Sequence, residues 1–251
     1  MEYNNANASK CQSDNGQLKT LRDYVTLYHS LGWNVLPLKP GDKPPALQSW
    51  KEFEETPQDD SILQEKYWDK NVNIGIICGR VSGNLFVVDC DTEKAVLWFI
   101  SNFKEYIGTY QVKTRRGVHY YFQVNGELKE VKSFKIKSED ESIKIDVQGD
   151  GKYVVAPPSI VKHLIDEEKQ ITATHVYTSE GDIHNIKTLT VDEYNNFIER
   201  LKQLVDSASN KPEQQTDERE KLNKYNVDLA KFKELIKEYY KEGVRQDIVL
   251  Y

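Results

Sequence analysis

The feature that most constrains the fold is an apolar run that ends in two aspartates, Leu85-Phe86-Val87-Val88-Asp89-Cys90-Asp91. Its β-branched and aromatic residues favour a buried strand. Side chains at i and i+2 of a strand point the same way, so Asp89 and Asp91 face one side about 6.5–7 Å apart. Carboxylates that close repel unless positive charge lies between them, and Mg²⁺ or Mn²⁺ commonly supplies it. A strand end that leads into a solvated turn stays open as the alternative, because aspartate favours such turns.

Two other predicted strands carry polar side chains that can meet this pair. Alternation places His119 on the polar side of one strand and Asp146 on the polar side of the other. We therefore expect Asp89, Asp91, His119 and Asp146 to converge over one sheet surface. Three carboxylates and an imidazole are typical of a two-metal phosphoryl-transfer site. A structural, hydrogen-bonded strand histidine remains the alternative for His119.

Positive charge is predicted close to these strands. Arg115 and Arg116 precede Gly117 in a turn that offers guanidinium and backbone N–H groups to a triphosphate, or is simply a solvated hairpin. Lys43 lies on a proline-stiffened loop, where it either meets phosphate or is plain surface charge. A further set of lysines lines a template groove or, as the favoured interpretation, belongs to a solvated loop. These are Lys129, Lys132, Lys135 and Lys137.

Apolar spacing and turn signals predict a chain of mixed helices and strands. Helices are predicted over 18–31, 93–106 and 190–205, the last opened by a capping box of Thr190 and Glu193. Strands are predicted over 33–38, 73–78, 85–89, 110–114, 118–124, 142–147, 152–156 and 174–177. We expect a disordered tail over 1–17, a folded domain over 18–205 and a polar linker over 206–216. Residues 217–251 are interpreted as a helical segment, the truncated start of a downstream helical module.

Charge and cysteine content exclude several classes of protein. The 251 residues carry a net charge of −6, which argues against a domain that coats nucleic acid through bulk positive charge. Cys11, Cys78 and Cys90 are widely spaced without a Cys-x-x-Cys pair, so neither a disulfide framework nor a zinc ribbon is expected. No apolar run approaches the roughly 18 residues that span a bilayer, and no signal peptide is evident. We expect a cytoplasmic protein without a membrane partner.

A series of short motifs runs through the chain in a fixed order. They are Gly32-Trp33-Asn34-Val35-Leu36-Pro37-Leu38, Lys43-Pro44-Pro45-Ala46, Asn73-Ile74-Gly75-Ile76, Val87-Val88-Asp89-Cys90-Asp91, Thr114-Arg115-Arg116-Gly117-Val118-His119, Ile145-Asp146-Val147-Gln148-Gly149-Asp150-Gly151 and Tyr153-Val154-Val155-Ala156-Pro157-Pro158-Ser159. In this order they resemble the bifunctional primase/polymerase (prim-pol) domain of archaeal plasmid and viral replication proteins, in the archaeo-eukaryotic primase superfamily. The resemblance covers residues 28–159 and continues more weakly to about residue 177.

The resemblance implies an α+β fold. Its catalytic core is an RRM-like antiparallel or mixed sheet flanked by helices, fused to a smaller α/β unit and followed by C-terminal helices. It further implies that Asp89, Asp91 and Asp146 hold two divalent ions, Mg²⁺ or Mn²⁺. His119 is implied to contact the triphosphate of the incoming nucleotide. Some relatives carry a cysteine-ligated zinc stem, and because this chain lacks those cysteines we expect no zinc.

The activity implied is that of a nucleotidyltransferase, a DNA primase and DNA-directed DNA polymerase. Such an enzyme makes and extends primers on single-stranded DNA in plasmid or viral replication. Its expected partners are the template, dNTP or NTP, and a downstream helical and helicase domain. We add Arg115, Arg116 and Lys43 as expected nucleotide contacts.

Two other functions stay open at the level of sequence. Asp91 with Asp150-Gly151-Lys152 loosely resembles the carboxylates and lysine of a metal-dependent nuclease. A non-catalytic nucleic-acid-binding domain of a replication protein is the second. Gln148 also stands where the prim-pol family often has arginine, so a phosphate or template contact is not expected there. No His-x-His pair occurs, which argues against a replication-initiating nicking enzyme.

Overall fold

The fold is mixed α+β, as predicted. The computed structural model describes residues 20–68, 72–166 and 171–209. The predicted tail over 1–17 and helical segment over 217–251 lie outside the described residues, as does the linker beyond Ser209. Among the helices that are described, none combines the length and the apolar character that crossing a bilayer requires.

Four helices and twelve strands follow one another along the described chain, joined in places by short 3₁₀ turns. In chain order they are α1 (Leu21–Ser30), β1 (Val35–Leu38), α2 (Glu52–Glu55), β2 (Asn73–Ile77), β3 (Leu85–Cys90), α3 (Glu93–Asn102), β4 (Gln111–Lys113), β5 (Val118–Asn125), β6 (Phe134–Lys137), β7 (Lys144–Gln148), β8 (Tyr153–Ala156), β9 (Ile160–Asp166), β10 (Ile171–Val176), β11 (Thr178–Glu180), β12 (Lys187–Thr190) and α4 (Val191–Ser209).

The strands form one large sheet, one small sheet and a ribbon. The large sheet has seven strands in the order β11-β4-β5-β3-β7-β6, with β12 added in parallel to β5. Its other pairings are antiparallel, so the predicted mixed sheet is confirmed. The small sheet has the order β1-β2-β8, and β9 pairs with β10 as a two-stranded ribbon.

Strand β3 is the centre of the large sheet and buries both of its faces. On one face Phe86, Val88 and Cys90 pack in a core with side chains of α3 and α4. The Phe86 ring centroid lies 5.1 Å from that of Phe122 on β5 and 5.0 Å from that of Tyr194 on α4. On the opposite face Leu85 and Val87 pack in a second core with the small sheet and α1. The strand is therefore fixed in register from both sides.

An aromatic column joins the large sheet to α1 across the second core. Trp33 stacks between Tyr28 of α1, at a centroid distance of 6.0 Å, and Tyr121 of β5, at 5.9 Å. Tyr110 meets Tyr121 edge to face at 5.2 Å. The Tyr28 hydroxyl donates to the Pro157 carbonyl oxygen at 2.9 Å, which also ties α1 to the segment after β8.

The predicted helices are present, with different ends. Thr20 caps α1 through a capping box with Asp23, so this helix begins at Leu21. The predicted capping box of α4 is confirmed by the Thr190 N–H to Glu193 bond of 2.8 Å. That helix runs to Ser209, beyond the predicted end at residue 205. Helix α3 ends at Asn102, earlier than predicted, and Phe103 beyond it leaves the helical conformation while its ring stacks on Phe99 at 5.0 Å.

The strand predictions missed two features near the site. The interpretation of the lysine-rich segment as a solvated loop was wrong, because the segment contains strand β6. Phe134 and Ile136 pack half-buried against the core, while Lys135 and Lys137 point away from it. The ribbon was predicted only over 174–177. Strand β9 was not predicted. It is held in place by its pairing with β10 rather than by an apolar face packed on a core.

Gly117 allows the turn between β4 and β5 to lie against the end of β3. The Thr114 N–H donates to the Gly117 carbonyl at 3.0 Å, and the Gly117 N–H donates to the Thr114 hydroxyl at 3.1 Å. A Cβ placed on Gly117 would lie 1.7 Å from the carbonyl oxygen of Cys90. Glycine is therefore required here for close approach of two backbones.

Substituting Gly117→Ala should destabilise the domain by about 3 kcal/mol, because a backbone carbonyl cannot move aside as a flexible side chain can. Gly108→Ala is the control, since a Cβ there meets nothing within 4 Å, and it should change the free energy of unfolding by no more than about 0.5 kcal/mol. Urea denaturation of both variants measures this, and equal stabilities would contradict the packing described.

Candidate active site

A row of four charged or polar side chains crosses one face of the large sheet. Asp89 of β3 is the direct cross-strand partner of His119 on β5 and of Asp146 on β7. Asp146 is in turn the partner of Lys135 on β6. Direct partners place their Cβ atoms about 4.5–5.5 Å apart on one face. The predicted convergence of Asp89, His119 and Asp146 is thus what the strand register produces.

Two close side-chain pairs make up this row. His119 Nε2 lies 3.4 Å from Asp89 Oδ1, and Lys135 Nζ lies 2.5 Å from Asp146 Oδ2. The side chains of Asp89, His119 and Asp146 are 15%, 7% and 11% exposed, whereas that of Lys135 is 80% exposed. The hydrogen bond and charge of Asp146 raise the pKa of Lys135, so its side chain is an ammonium group. Each inner carboxylate therefore has a basic neighbour.

Asp91 lies one residue beyond β3 and continues its ladder. Its N–H donates to the Lys144 carbonyl at 3.0 Å. Burial raises the pKa of the Asp91 carboxyl, and the negative charges of Asp89 and Asp146 raise it further. Lys43 and Arg116 act in the opposite direction. The three carboxylates are therefore close enough to repel one another, as the Asp-x-Asp spacing predicted.

Cys90, between the two aspartates, has a different role. Its side chain points to the opposite face and is fully buried with Phe86 and Val88. Burial, and then the charges of Asp89 and Asp91, raise the pKa of its thiol well above the usual range. Cys90 is therefore an inert packing residue and not a metal ligand or nucleophile.

The donor chemistry of this surface suits a hard divalent cation. Carboxylate oxygens that repel one another are the ligands that Mg²⁺ and Mn²⁺ prefer. Asp89 Oδ1 is buried without a hydrogen-bond partner among the residues described. Within 20–68, 72–166 and 171–209, however, no three His, Cys, Asp or Glu side chains are gathered as a ligand set for one ion. One oxygen of Asp146 is held by Lys135 instead.

A cleft rich in positive charge opens beside the carboxylates. Its open volume is about 640 Å³, including solvent space at its mouth. The predicted residues Lys43, Arg115, Arg116 and Asp91 all line it. The cleft also contains side chains that the sequence did not single out: Asp42, Thr114, Val161, Lys162, His163, His175 and Tyr177.

Asn73 fixes the loop that carries Lys43. Its side-chain amide donates to the carbonyl oxygens of Asp42, at 2.9 Å, and of Ile160, at 2.8 Å. Its side-chain oxygen accepts from the Ile160 N–H at 2.9 Å. The Tyr153 hydroxyl donates to the Lys43 carbonyl at 3.2 Å. The loop and the start of β9 are thus joined through one buried side chain.

The ribbon contributes two histidines to the cleft. His163 Nδ1 and His175 Nε2 are buried, with no hydrogen-bond partner in the part of the chain that the structure describes. Burial lowers the pKa of His175, and the nearby charges of His163, Arg115 and Lys43 lower it further, against a hydrogen bond to the Lys113 backbone. His175 is therefore mainly neutral at pH 7. The alternation of the predicted strand 174–177 already placed His175 and Tyr177 on one side, which is the signal that could have identified them.

Tyr177 connects the ribbon to the carboxylate row. Its ring centroid lies 6.0 Å from that of His119 and 5.6 Å from that of His175. Burial and the charges of Asp89 and Asp91 raise the pKa of Tyr177 to about 12, partly offset by Arg115. The phenol is therefore protonated at neutral pH and remains a hydrogen-bond donor.

The lysine-rich segment offers little unpaired charge for a template. Lys132 pairs with Glu130 at 2.6 Å, and Lys137 pairs with Glu141 at 2.5 Å. Lys135 pairs with Asp146, as described above. Exposed pairs of this kind are weak and are screened by salt, yet they place a carboxylate beside three of the four lysines. A template groove along these lysines is therefore not supported.

Comparison with protein families gives one result that bears on this geometry. The model of the family described as "Bifunctional DNA primase/polymerase, N-terminal" matches residues 25–178 of the 251. The match includes the small sheet, the carboxylate row and the ribbon up to Tyr177. A search of curated proteins finds no match.

Replacing Asn73 by alanine should destabilise the domain by about 2 kcal/mol, because three part-buried backbone groups of Asp42 and Ile160 lose their partner. The substitution should also speed amide exchange of the Ile160 N–H, because this group donates its hydrogen bond to the Asn73 side-chain oxygen. Asn185→Ala is the control, since the exposed Asn185 bonds the neighbouring Asp182 at 3.3 Å through its side-chain amide. Thermal unfolding with hydrogen exchange measures both effects, and wild-type exchange at Ile160 would show that Asn73 does not hold the loop.

Proposed function

Because the chain belongs to the bifunctional DNA primase/polymerase family, we propose that it joins nucleotides on a single-stranded DNA template during plasmid or viral replication. The family is one of nucleotidyltransferases that act in DNA replication. In this proposal one site both starts primers and extends them, using dNTP or NTP. The proposed catalytic domain spans 18–205, and the proposed partners are the template and a downstream helical and helicase domain.

The observation that carries the proposal is the junction of two charge environments. A carboxylate surface of Asp89, Asp91 and Asp146 borders a cleft lined by Lys43, Arg115 and other cations. Phosphoryl transfer needs this combination, because anionic phosphates must be neutralised while a hydroxyl is brought next to them. Asp91 belongs to both environments, since it lines the cleft and its pKa is raised by the charges of the other two carboxylates.

We propose that Asp89, Asp91 and Asp146 would hold two divalent ions, Mg²⁺ or Mn²⁺. When bound, such ions lower the pKa of a 3′-hydroxyl and stabilise the charge of the pyrophosphate leaving group. Domains of this family generally depend on divalent metal ions. Asp89 Oδ1, which is buried without a hydrogen bond among the residues described, and the mutual repulsion of the carboxylates support this assignment.

The basic residues of the cleft bind and orient the triphosphate in this proposal. Arg115 and Arg116 project from a turn whose position Gly117 fixes, and Lys43 approaches from the loop that Asn73 fixes. His119 holds Asp89 on one side and meets Tyr177 on the other, so it lies between the carboxylates and the cleft. Arginine suits this task because its planar group binds phosphate oxygens in pairs.

A nuclease of the kind that Asp91 and Asp150 suggested is not supported. The Asp91 N–H bonds the carbonyl of Lys144, at one end of β7, whereas Asp150 follows the other end. The five residues of β7 lie between these positions, and the strand spans about 13 Å from its first to its last residue at 3.3 Å per residue. Asp150 instead accepts from the Arg80 N–H at 2.8 Å, from Arg80 Nε at 2.9 Å and from the Val131 N–H at 3.1 Å. Its role is structural.

Asp146→Asn should lower nucleotide incorporation by more than about 100-fold, because mutations that only disturb the support of a metal ligand already cost about 10- to 100-fold. Asp192→Asn is the matched control on the exposed first turn of α4 and should retain activity. The assay incubates labelled single-stranded DNA and primer with Mn²⁺ and nucleotides. Lengthening supports a polymerase, shortening supports a nuclease, and binding without either supports a non-catalytic domain.

Arg116→Met should raise the KM for nucleotide about tenfold or more, because a hydrogen bond to a charged group typically contributes about 1.5–3 kcal/mol. Arg22→Met is the control on the exposed face of α1. Steady-state primer extension at varied nucleotide concentration measures both variants. An unchanged KM for Arg116→Met would remove this arginine from the nucleotide site.

A further inference from the structure

The Lys135 ammonium lies on one of the proposed metal-ligating carboxylates. Lys135 and Asp146 are direct partners across β6 and β7, with 2.5 Å between Nζ and Oδ2. The two side chains differ in environment, since Lys135 is 80% exposed and Asp146 is 11% exposed. A solvated lysine thus reaches inward to a nearly buried carboxylate.

The other two carboxylates of the set are held differently. Asp89 Oδ1 is 3.4 Å from a ring nitrogen of His119 and makes no hydrogen bond among the residues described. Asp91 is influenced by Lys43 and Arg116 through charge alone. Asp146 therefore differs from both in having a lysine bonded directly to its oxygen. Across 20–68, 72–166 and 171–209 no group of three ligands is gathered for one ion, and this bond helps to explain why.

We propose that Lys135 is a positioning residue of the active site that neutralises Asp146 and competes with the divalent cation for its carboxylate. The inference rests on the proposed function, because it takes Asp146 as a metal ligand. An ammonium and a metal ion cannot share one carboxylate oxygen at bonding distance without strong repulsion. A divalent ion at Oδ2 therefore requires the lysine to leave, and an ion at the other oxygen of Asp146 is still repelled by the nearby ammonium.

The position of Lys135 makes that departure easy. Strand β6 is at the edge of the large sheet, so nothing in the sheet covers the lysine from the outer side. An ion pair with one solvated partner is held weakly, and the long side chain regains rotamer freedom when it is released. The lysine thus balances the charge of a buried carboxylate until a divalent ion replaces it.

The matched control is on the same strand. Lys137 is two residues from Lys135, so it points to the same face of β6, and its ammonium pairs with Glu141 at 2.5 Å. Lys137→Met removes the same charge from the same face without freeing Asp146. Lys135→Arg keeps a cation on Asp146.

The experiment titrates the full chain with Mn²⁺ in the absence of nucleotide and DNA and follows free Mn²⁺ by electron paramagnetic resonance. Lys135→Met should bind Mn²⁺ about tenfold more tightly than wild type, since one competing positive charge is removed. Lys137→Met should stay within about twofold of wild type, because its charge is more distant and screened by solvent. Lys135→Arg should resemble wild type. Circular dichroism of each variant checks the fold.

The outcomes separate this inference from the proposed function. Equal or weaker Mn²⁺ affinity for Lys135→Met, with tight binding by wild type, overturns the role of Lys135 and leaves the metal site standing. The same gain in Lys137→Met also overturns it, because the effect would then be one of general charge. If neither the wild type nor any variant binds Mn²⁺, the metal site of the proposed function is overturned together with the inference.

Discussion

The two-residue alternation of β3 is the constraint on which the rest of the structure depends. Phe86, Val88 and Cys90 are committed to the core beneath α3 and α4, and Leu85 and Val87 to the core beneath the small sheet. The second face of β3 is covered by the small sheet except at the end of the strand. At that uncovered end it carries Asp89. A slip of one residue would bury the aspartates among the aromatic rings of the first core. The energy of two apolar cores therefore fixes the position of the carboxylates.

Register transmits this constraint to the neighbouring strands. Because β3 pairs with β5 and β7 at Asp89, His119 and Asp146 are brought to it as direct partners. The same ladder places Lys135 beside Asp146. The two carboxylates thus lie side by side with a basic group at each end of the row, which limits the repulsion that nearly buried like charges would otherwise create. Backbone hydrogen bonding between the strands therefore decides which charged side chains become neighbours in the site.

The cleft depends on a different principle, the close approach of distant loops. The loop that carries Lys43 is joined to β9 by Asn73, and the arginine turn approaches β3 because Gly117 has no side chain. These segments are far apart in sequence, and the interactions that unite them are single side chains or the absence of one. Such contacts have no periodic pattern. The cleft residues Lys162 and His163 were accordingly not found from the sequence, although Lys43, Arg115 and Arg116 were.

The sequence alone determined the α+β class, the burial of β3 and the common face of Asp89, Asp146 and His119, because strand alternation is local and repeats every two residues. The order of its motifs also determined the family. The tertiary structure decided which strands are neighbours, that Lys135 belongs to an edge strand and pairs with Asp146, and that Asp150 holds Arg80 and not a site. Those outcomes depend on pairing between segments separated by many residues. Pairing is selected by the packing of whole faces, and no single segment encodes it.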